Sequence, residues 1–385
     1  MHIVISALSS SATPSGVCRH AANLSRALAG ANGGAPRVTL IVGQWQAAYF
    51  RQQLGLSQTR VEIIDVRIPN NLVTRNAWYT FGLPVLAHRL GADVLHVCFP
   101  APVLARLDKP LVVTLHDLYA IDAVRNLGRM RALVSSRLTH RTLRVADAVV
   151  CVSAYTRERL ALHYPDVQAD VISNIVYLAT EHSATELPDE LLTRPFLLCV
   201  AQHQPNKNLR LLLRGFHRAL QEARIPSDTR LLLVGRHGPD TRNLQRDIAR
   251  FVLGNRVTLL QSLSDASLAQ LYRSCDLLIA PSLVEGFCAP AAEAISTGCR
   301  VLLSDIPQLR TFAGPGCAFF DLDESGEALA QAIGTALRQP RPCASPERFG
   351  NLRGFADAHL ALYRDVMAAR CVETAAGAVR SGGNA

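Results

Sequence analysis

The stretch "DLLIAPSLVEGFCAPAAEAISTG", residues 276–298, passes from an apolar run through a short loop into a helical pattern. Pro290 suits the first turn of the predicted helix, and Gly298 suits its end. Glu285 then falls in the loop that follows a strand, and Glu293 falls about one turn into the helix. The order strand, loop, helix predicts one βα unit of a parallel sheet, with two acidic side chains near the carboxyl end of its strand.

Similar units recur along the chain. Short apolar runs such as "HIVISAL" and "RVTLIVG", and later "FLLCVAQ" and "RLLLVG", alternate with amphipathic segments, which is typical of buried parallel strands joined by helices. At 385 residues the chain is long for one core. We therefore expect two doubly wound α/β domains, with a ligand bound beyond the carboxyl ends of their strands.

The domain boundary is predicted where the strand pattern stops. Acidic, hydroxyl and proline residues collect in "LATEHSATELPDELLTRP", residues 178–195, which we interpret as a linker. The N-terminal domain would then span 1–177 and the C-terminal domain 196–350. A last helix over 351–371 is expected to pack back on the first domain, and the small, polar residues of 372–385 predict a flexible tail.

The charge balance favours anionic partners. The 40 Lys and Arg residues exceed the 31 Asp and Glu residues, which gives a formal net charge of +9. Phosphorylated small molecules or an anionic membrane suit such an excess, whereas nucleic acid is disfavoured because no nucleic-acid-binding motif is recognised. The basic segment "RNLGRMRALVSSRLTHRTLR", residues 125–144, is either a contact with anionic lipid or a solvated helix.

Several features predict a cytoplasmic protein, alone or at the inner face of the cell membrane. The first ten residues lack a basic leader and are predicted to form a strand rather than a signal peptide. No apolar run approaches the roughly 18 residues that cross a bilayer. The ten cysteines contain no C-x-x-C pair, so we expect buried thiols in a reducing compartment rather than disulfides or a metal site.

Three loops that follow predicted strands carry further candidate residues. Gly16 would let a diphosphate approach the start of a helix, although a plain turn and helix cap explain that segment equally well. His116 and Asp117 leave a strand together, where they would orient a sugar hydroxyl group or merely cap the loop. Lys207 lies at a helix start, where a positive charge opposes the helix dipole unless an anion is bound.

The glutamates form an E-x7-E pair within "YRSCDLLIAPSLVEGFCAPAAEAISTGCRVLLSDIPQLR". This stretch resembles the P-S-x-x-E-G-F-G-x-P-x-x-E-A motif of the GT-B-fold retaining glycosyltransferases of family 4. "SGVCRHAANLSRAL" and "VVTLHDL" resemble the family's acceptor-domain entry loop and T-x-H-D strand end, and "PNKNLRLLLRGF" resembles its P-R-K-N helix start. The resemblance implies two Rossmann-like domains that face each other across a cleft.

The resemblance also implies an activity. It is that of a retaining, metal-independent hexosyltransferase, without a cofactor, that moves a sugar from a GDP-, UDP- or dTDP-linked donor to a saccharide or lipid-linked saccharide in bacterial surface polysaccharide synthesis. Lys207 would neutralise the diphosphate, Glu293 would bind the ribose and Glu285 the transferred sugar. The implied residues are His116, Lys207 and Glu285 as catalytic groups, Gly16, Asn206, Arg236, Phe287, Cys288, Ala289 and Glu293 for the donor, and Asp117 for the acceptor.

Some positions depart from the family pattern. Asn206 stands where relatives usually carry arginine, and Cys288 stands where they carry glycine. Arg236 would compensate for the missing charge, or it is an ordinary exposed arginine. Two other functions therefore remain open for the sequence: a nucleotide-sugar epimerase on the same fold, and a non-catalytic scaffold that binds nucleotide sugars.

Overall fold

The computed structural model describes residues 1–13, 15–31, 34–118, 121, 128–178, 187–261 and 263–382. The chain divides into two compact units. The first unit comprises Met1–Ile175 together with Asn351–Ala385, and the second comprises Val176–Gly350. Each unit contains one parallel sheet, and helices connect the strands.

The first unit has a seven-stranded sheet in the order β3-β2-β1-β4-β5-β6-β7. Its strands are β1 (His2–Ser6), β2 (Arg37–Gly43), β3 (Glu62–Val66), β4 (Val94–Val97), β5 (Leu111–Leu115), β6 (Ala148–Cys151) and β7 (Asp170–Val171). Its α-helices are α1 (Gly16–Ala29), α2 (Ala47–Arg51), α3 (Leu72–Ala77), α4 (Leu83–Arg89), α5 (Arg129–Val145), α6 (Ala154–His163) and the last helix of the chain, α12 (Leu352–Gly382).

The second unit has a six-stranded sheet in the order β10-β9-β8-β11-β12-β13. Its strands are β8 (Phe196–Val200), β9 (Arg230–Val234), β10 (Val257–Leu260), β11 (Leu277–Ala280), β12 (Val301–Ser304) and β13 (Cys317–Phe320). Its α-helices are α7 (Leu209–Gln221), α8 (Thr241–Arg250), α9 (Asp265–Ser274), α10 (Ala289–Ser296) and α11 (Glu327–Arg338). Short 3₁₀ helices lie at Asp189–Leu191, Pro205–Lys207, Leu309–Phe312 and Pro346–Arg348.

The two sheets share one topology. In each, the strand order runs outward in one direction from the first strand and then reverses, between β1 and β4 in the first unit and between β8 and β11 in the second. All strand pairs are parallel, and the central strands are buried, whereas the edge strands β3, β7, β10 and β13 are mostly half-buried or exposed. This confirms the predicted doubly wound, Rossmann-like α/β architecture, in which ligands bind where the order reverses.

The last helix belongs to the first unit. Arg370 of α12 donates to Asp147 at 2.7 Å, and Tyr363 is fully buried against the first sheet. The helix continues to Gly382, so residues 372–382 of the predicted tail are helical in the structure. That stretch contains several alanines, which have the highest helix propensity. It also continues α12, whose earlier turns are held against the first sheet by Tyr363 and Arg370.

The division between the units falls between Ile175 and Val176, two residues before the predicted end of the first domain at 177. Residues 179–186 of the predicted linker lie outside the described residues. Leu187 is buried in the core of the second unit, so the end of that segment packs as part of the unit.

Two further predictions concern the cysteines and membrane-spanning helices. Seven of the ten cysteines are buried, as expected for small apolar side chains. Among the residues that the structure describes, every helix is too short or too polar to span a bilayer.

The ends of β8 and β9 approach each other closely at Gly235. A Cβ atom on Gly235 would lie 1.8 Å from the carbonyl oxygen of Ala201. We therefore expect Gly235→Ala to destabilise the second unit by about 2 to 3 kcal/mol, because the backbone would have to move. Gly254→Ala is the matched control, since its Cβ would meet nothing within 4 Å. Urea unfolding followed by far-UV circular dichroism measures both, and equal midpoints would show that the strand ends are not tightly packed.

Candidate functional site

The site in the second unit forms where β8 and β11 lie side by side. The loop after β8 ends in the 3₁₀ helix Pro205–Lys207, and the loop after β11 runs through Glu285 to α10. The backbone N–H of Leu283 donates to the carbonyl oxygen of Asn206 at 2.8 Å, which ties the two loops together. Residues that are far apart in sequence thereby meet at the point of strand reversal.

Lys207 and Glu285 form the centre of this site. Lys207 Nζ lies 2.6 Å from Glu285 Oε1, and Ser282 Oγ donates to the same oxygen at 2.6 Å. The Lys207 side chain is 24% exposed and the Glu285 side chain 10% exposed, so both can be reached from solvent. Ser304 Oγ donates to the carbonyl oxygen of Ser282 and fixes the start of the loop. The result is a cation and a carboxylate held in place at the carboxyl ends of the two central strands.

The N-terminus of α10 begins directly after this loop. None of the side chains that the structure describes caps the helix, and Pro290 lies in its first turn. Cys288, which precedes the helix, has a φ of 57° in the left-handed region, and its thiol is buried, which raises its pKa. The backbone around Cys288 and Ala289 thus presents an uncapped helix start, as predicted for an anion site.

Glu293 is held inside the unit by α10. It is only 4% exposed, and the buried phenol of Tyr272 donates to Glu293 Oε2 at 2.7 Å. The Glu293 carboxylate is therefore buried and hydrogen-bonded rather than exposed to solvent. Tyr272 was not predicted from the sequence, because its partner lies 21 residues further along the chain on another helix.

Two predicted donor-binding residues have other surroundings. Phe287 packs its ring against Phe312 and Phe349, with centroid distances of 6.0 and 6.4 Å, so its contacts in the structure are those of an aromatic cluster. Arg236 is exposed, and its Nη2 lies 3.5 Å from Gln202 Oε1 in the loop after β8. Arg236 thus lies at the same end of the sheet as Lys207 and contacts the loop after β8.

The remaining predicted residues lie in the first unit. His116 and Asp117 follow β5, and His116 Nε2 lies 2.9 Å from the carbonyl oxygen of Cys98, which follows the neighbouring strand β4. Burial of the ring lowers the pKa of His116 to about 4, so the imidazole is neutral at pH 7. Asp117 is exposed. Gly16 is the first residue of α1, where Ser15 is the N-cap, and a Cβ on Gly16 would meet nothing within 4 Å.

Comparison with known proteins places the chain in a class. Two family models match it: "Glycosyltransferase Family 4" over residues 14–180 and "Glycosyl transferases group 1" over residues 185–352. A sucrose-phosphate synthase from Thermosynechococcus elongatus superposes with a TM-score of 0.76 at 18% identity, over 96% of this chain and 100% of that one. HepE of Anabaena, solved with UDP and glucose, superposes with a TM-score of 0.67 at 18% identity, over 98% and 100%. The fold is that of the GT-B glycosyltransferases.

Sequence relatives agree with this class. The "O-antigen chain mannosyltransferase B" of Escherichia coli is 24% identical over 258 residues, which are 64% of this chain and 65% of the relative. The "Serotype-specific mannosyltransferase WbdA" of Escherichia coli is 28% identical over 193 residues, which are 46% of this chain and 23% of the relative. The chain thus spans less than two thirds of the length of these curated relatives. It belongs to the GT-B glycosyltransferases of family 4, the group 1 type.

The two departures from the family motif can now be explained structurally. Asn206 binds the loop after β11 through its backbone carbonyl, so an asparagine in place of arginine removes a charge without removing the bond between the loops. Cys288 occupies a left-handed position that favours glycine, and a side chain there costs on the order of 1 kcal/mol. Both changes leave the backbone of the site intact.

Proposed function

We propose that the protein transfers a sugar, with retention of configuration, from a nucleotide-diphosphate sugar to a hydroxyl group of a saccharide or lipid-linked saccharide, in the synthesis of a bacterial surface polysaccharide. The observation that carries this proposal is the pairing of Lys207 with Glu285, at 2.6 Å, where the strand order reverses. The mannosyltransferase relatives and the UDP- and glucose-containing neighbour support it.

The proposed roles follow from charge and hydrogen bonding. The Lys207 ammonium and the N–H groups at the start of α10 would hold the diphosphate, since both present positive charge to an anion. Glu285 and Glu293, which can only accept hydrogen bonds when ionised, would bind the hydroxyl groups of the sugar and the ribose. Because Glu285 pairs with Lys207, the diphosphate would compete for the ammonium, and Ser282 would keep the carboxylate in place.

In the proposed reaction the acceptor hydroxyl group attacks the anomeric carbon from the face that the nucleotide diphosphate leaves. The bond from that carbon to the phosphate oxygen breaks, and the leaving oxygen takes the acceptor proton. The protein would then supply orientation and charge stabilisation rather than a covalent nucleophile. His116, a neutral imidazole, would orient a hydroxyl group of the transferred sugar.

The direct experiment is a donor panel that includes UDP-glucose, GDP-mannose and dTDP-linked sugars, screened by thermal shift and then by product analysis with oligosaccharide acceptors. We expect one donor to stabilise the protein and to yield an α-linked product from an α-linked donor, with the same rate after treatment with EDTA. Conversion of the donor without an acceptor would instead identify an epimerase, and binding without any turnover would identify a scaffold.

Gly16 provides a further test in the first unit. A methyl group at Gly16 meets no protein atom within 4 Å, so Gly16→Ala should leave the unfolding midpoint unchanged. If a diphosphate approaches this backbone, the methyl group would occupy its path, and we expect kcat/KM for the donor to fall on the order of tenfold. Gly254→Ala, which also meets nothing within 4 Å, is the control in the other unit. Equal kcat/KM for both variants would remove Gly16 from the donor site.

We also propose that the protein associates peripherally with the anionic inner face of the membrane. Residues 125–127 of the predicted basic segment lie outside the described residues, but α5 exposes Met130, Leu133 and Val134 beside exposed arginines. Apolar side chains among arginines suit the interface of an anionic bilayer. We expect co-sedimentation with phosphatidylglycerol vesicles that weakens with salt, and less with phosphatidylcholine. Leu133→Glu should reduce it, and unchanged sedimentation would exclude α5 as the contact.

A further inference from the structure

A chain of buried polar groups crosses the core of the first unit. It runs from Tyr363 of α12 to His96 of β4, then to Thr114 of β5, to His20 of α1 and finally to Asn174. The successive distances are 2.5, 2.7, 3.4 and 3.0 Å. Tyr363, His96 and Thr114 are fully buried, and His20 is 1% exposed.

The direction of each hydrogen bond can be assigned. Asn174 Oδ1 accepts from the backbone N–H of Ile175 at 3.0 Å, so the amide oxygen, which cannot donate, also faces His20 Nδ1. The proton of neutral His20 is therefore on Nδ1, and its Nε2 accepts from the hydroxyl group of Thr114. Thr114 in turn accepts from His96 Nε2–H, and His96 Nδ1 accepts from Tyr363. Neutral His20 is therefore protonated on Nδ1, and neutral His96 is protonated on Nε2.

His116 adjoins this chain through His20. The two rings meet edge to face, with centroids 4.8 Å apart and planes at 90°. The carbonyl oxygen of Cys98 can only accept, so His116 carries its proton on Nε2 and presents a lone pair on Nδ1. Thr156 Oγ1 donates to the His116 carbonyl oxygen at 3.2 Å and holds the backbone. The ring is thus fixed at one edge by Cys98 and packed against His20.

The buried groups around both rings are uncharged. The buried titratable groups around His20 and His116 in the described part of the first unit are His96, Cys98, His359 and Tyr363, and burial keeps each of them neutral at pH 7. The carboxyl group of Asp117, the residue after His116, is exposed to solvent. Burial, together with the proximity of His116, lowers the pKa of His20 to about 3. A second positive charge near His116 is therefore strongly disfavoured.

We propose that His20 is a positioning residue for His116: its ring, locked by the polar chain from Tyr363 to Asn174, packs against the His116 ring and keeps Nε2 of His116 on the Cys98 carbonyl oxygen, the orientation in which Nδ1 accepts a hydrogen bond from a substrate hydroxyl group. The proposal rests on the proposed function for the role of that hydroxyl group. The state of the His116 ring is a property of the chain alone and can be measured without a donor.

The test uses the full chain with ¹⁵N-labelled histidine, in which long-range proton–nitrogen spectra report the tautomer and the pKa of each imidazole. His116→Gln assigns the His116 signals. We expect wild-type His116 to be purely Nε2-protonated and neutral down to pH 5. In His20→Ala we expect a mixture of tautomers and a pKa closer to the ordinary value, whereas His20→Phe, which restores a ring at the contact, should restore the single tautomer.

Kinetics supply the second readout, with UDP-glucose and GDP-mannose as the donors used. His20→Ala should lower kcat on the order of tenfold while KM for the donor changes less than about threefold, because positioning acts on the reacting geometry rather than on donor affinity. Leu40→Ala, a fully buried residue of β2 in the same core, is the control for simple destabilisation. It should leave the tautomer of His116 and the ratio of kcat to KM unchanged.

The outcomes separate the two proposals. An unchanged His116 tautomer and pKa in His20→Ala would overturn the positioning role, whatever the protein transfers. The same would follow if Leu40→Ala altered the His116 signals as His20→Ala does. If neither nucleotide sugar is turned over but His116 responds to His20 as expected, the positioning role of His20 is supported, and UDP-glucose and GDP-mannose are excluded as donors.

Discussion

Lys207→Ala is expected to lower the rate of sugar transfer roughly 100-fold or more. Loss of one charged or hydrogen-bonding contact to a developing negative charge typically costs about 2.7 to 4 kcal/mol of transition-state stabilisation. The leaving diphosphate gains charge as the bond to the anomeric carbon breaks, and Lys207 is the cation paired with Glu285 at the strand reversal. We therefore expect the loss to appear in kcat as well as in kcat/KM.

The low lysine content of the chain provides a matched control for this experiment. Only two of its 40 basic residues are lysines, Lys109 and Lys207. Lys109→Ala is thus a matched control in the other unit, and it should leave turnover unchanged. In a Lys109→Arg background, Lys207 is the only lysine side chain, so an amine-selective acylating reagent modifies Lys207 and the α-amino group, and peptide mapping separates the two products. The true donor should protect Lys207 from acylation.

Stability must be measured beside the rate. Removing Lys207 leaves a carboxylate that is only 10% exposed without its cation, although Ser282 still donates to it, so we expect a loss of about 1 to 3 kcal/mol. Unchanged turnover in Lys207→Ala, or equal losses in Lys207→Ala and Lys109→Ala, would refute Lys207 as the group that holds the diphosphate.

Local sequence signals were sufficient for the elements around this site. Pro290 and Gly298 correctly bounded the helix between them: α10 runs over Ala289–Ser296, and Gly298 has a φ of 77°. The short apolar runs predicted buried parallel strands, because a strand covered on both faces needs apolar side chains on both. The carboxyl ends of those strands then located Lys207 and Glu285 in the correct loops.

The sequence could not predict which of these groups touch. Lys207 and Glu285 are 78 residues apart, and their contact depends on β8 and β11 being neighbours, which follows from the strand order. For the same reason the sequence did not predict the contact of Tyr272 with Glu293, or that of His96 with Tyr363, which are 267 residues apart. Phe287 was assigned to the donor from its place in a motif, yet the packing of its ring is decided by two phenylalanines from later segments.

Lowering the pH from 7.5 to 5 is expected to destabilise the first unit by at least about 4 kcal/mol, because His20 and His359 alone contribute that amount and burial also lowers the pKa of His96 and His116. Burial lowers the pKa of both His20 and His359 to about 3, from an ordinary value of 6.5. Between pH 6.5 and 3 the unfolded chain therefore binds more protons at these residues than the folded chain, so stability is complete above pH 6.5 and falls as the pH falls. At pH 5, which is 1.5 units below the ordinary value, each histidine costs about 2 kcal/mol.

The two tryptophans make the measurement specific to this unit. Trp45 and Trp78 both lie in the first unit, so their fluorescence during urea unfolding does not report on the second. The pH range also separates the histidines from carboxylates such as Glu62, whose ordinary pKa is 4.5 and whose pKa is lowered further by Arg37. Destabilisation between pH 6.5 and 5 should therefore come chiefly from the buried imidazoles.

His359 offers the variant that separates this cause from general acid sensitivity. Its Nδ1 bonds to the carbonyl oxygen of Phe355, but its buried Nε2 has no hydrogen-bond partner in the described structure. His359→Met, similar in volume and without a charge, should remove about 2 kcal/mol of the acid-induced loss, because that side chain no longer binds a proton on unfolding. His217→Gln in the second unit should leave the tryptophan transition unchanged. Equal urea midpoints at pH 7.5 and pH 5, or an undiminished acid loss in His359→Met, would show that the buried histidines do not control the stability of this unit.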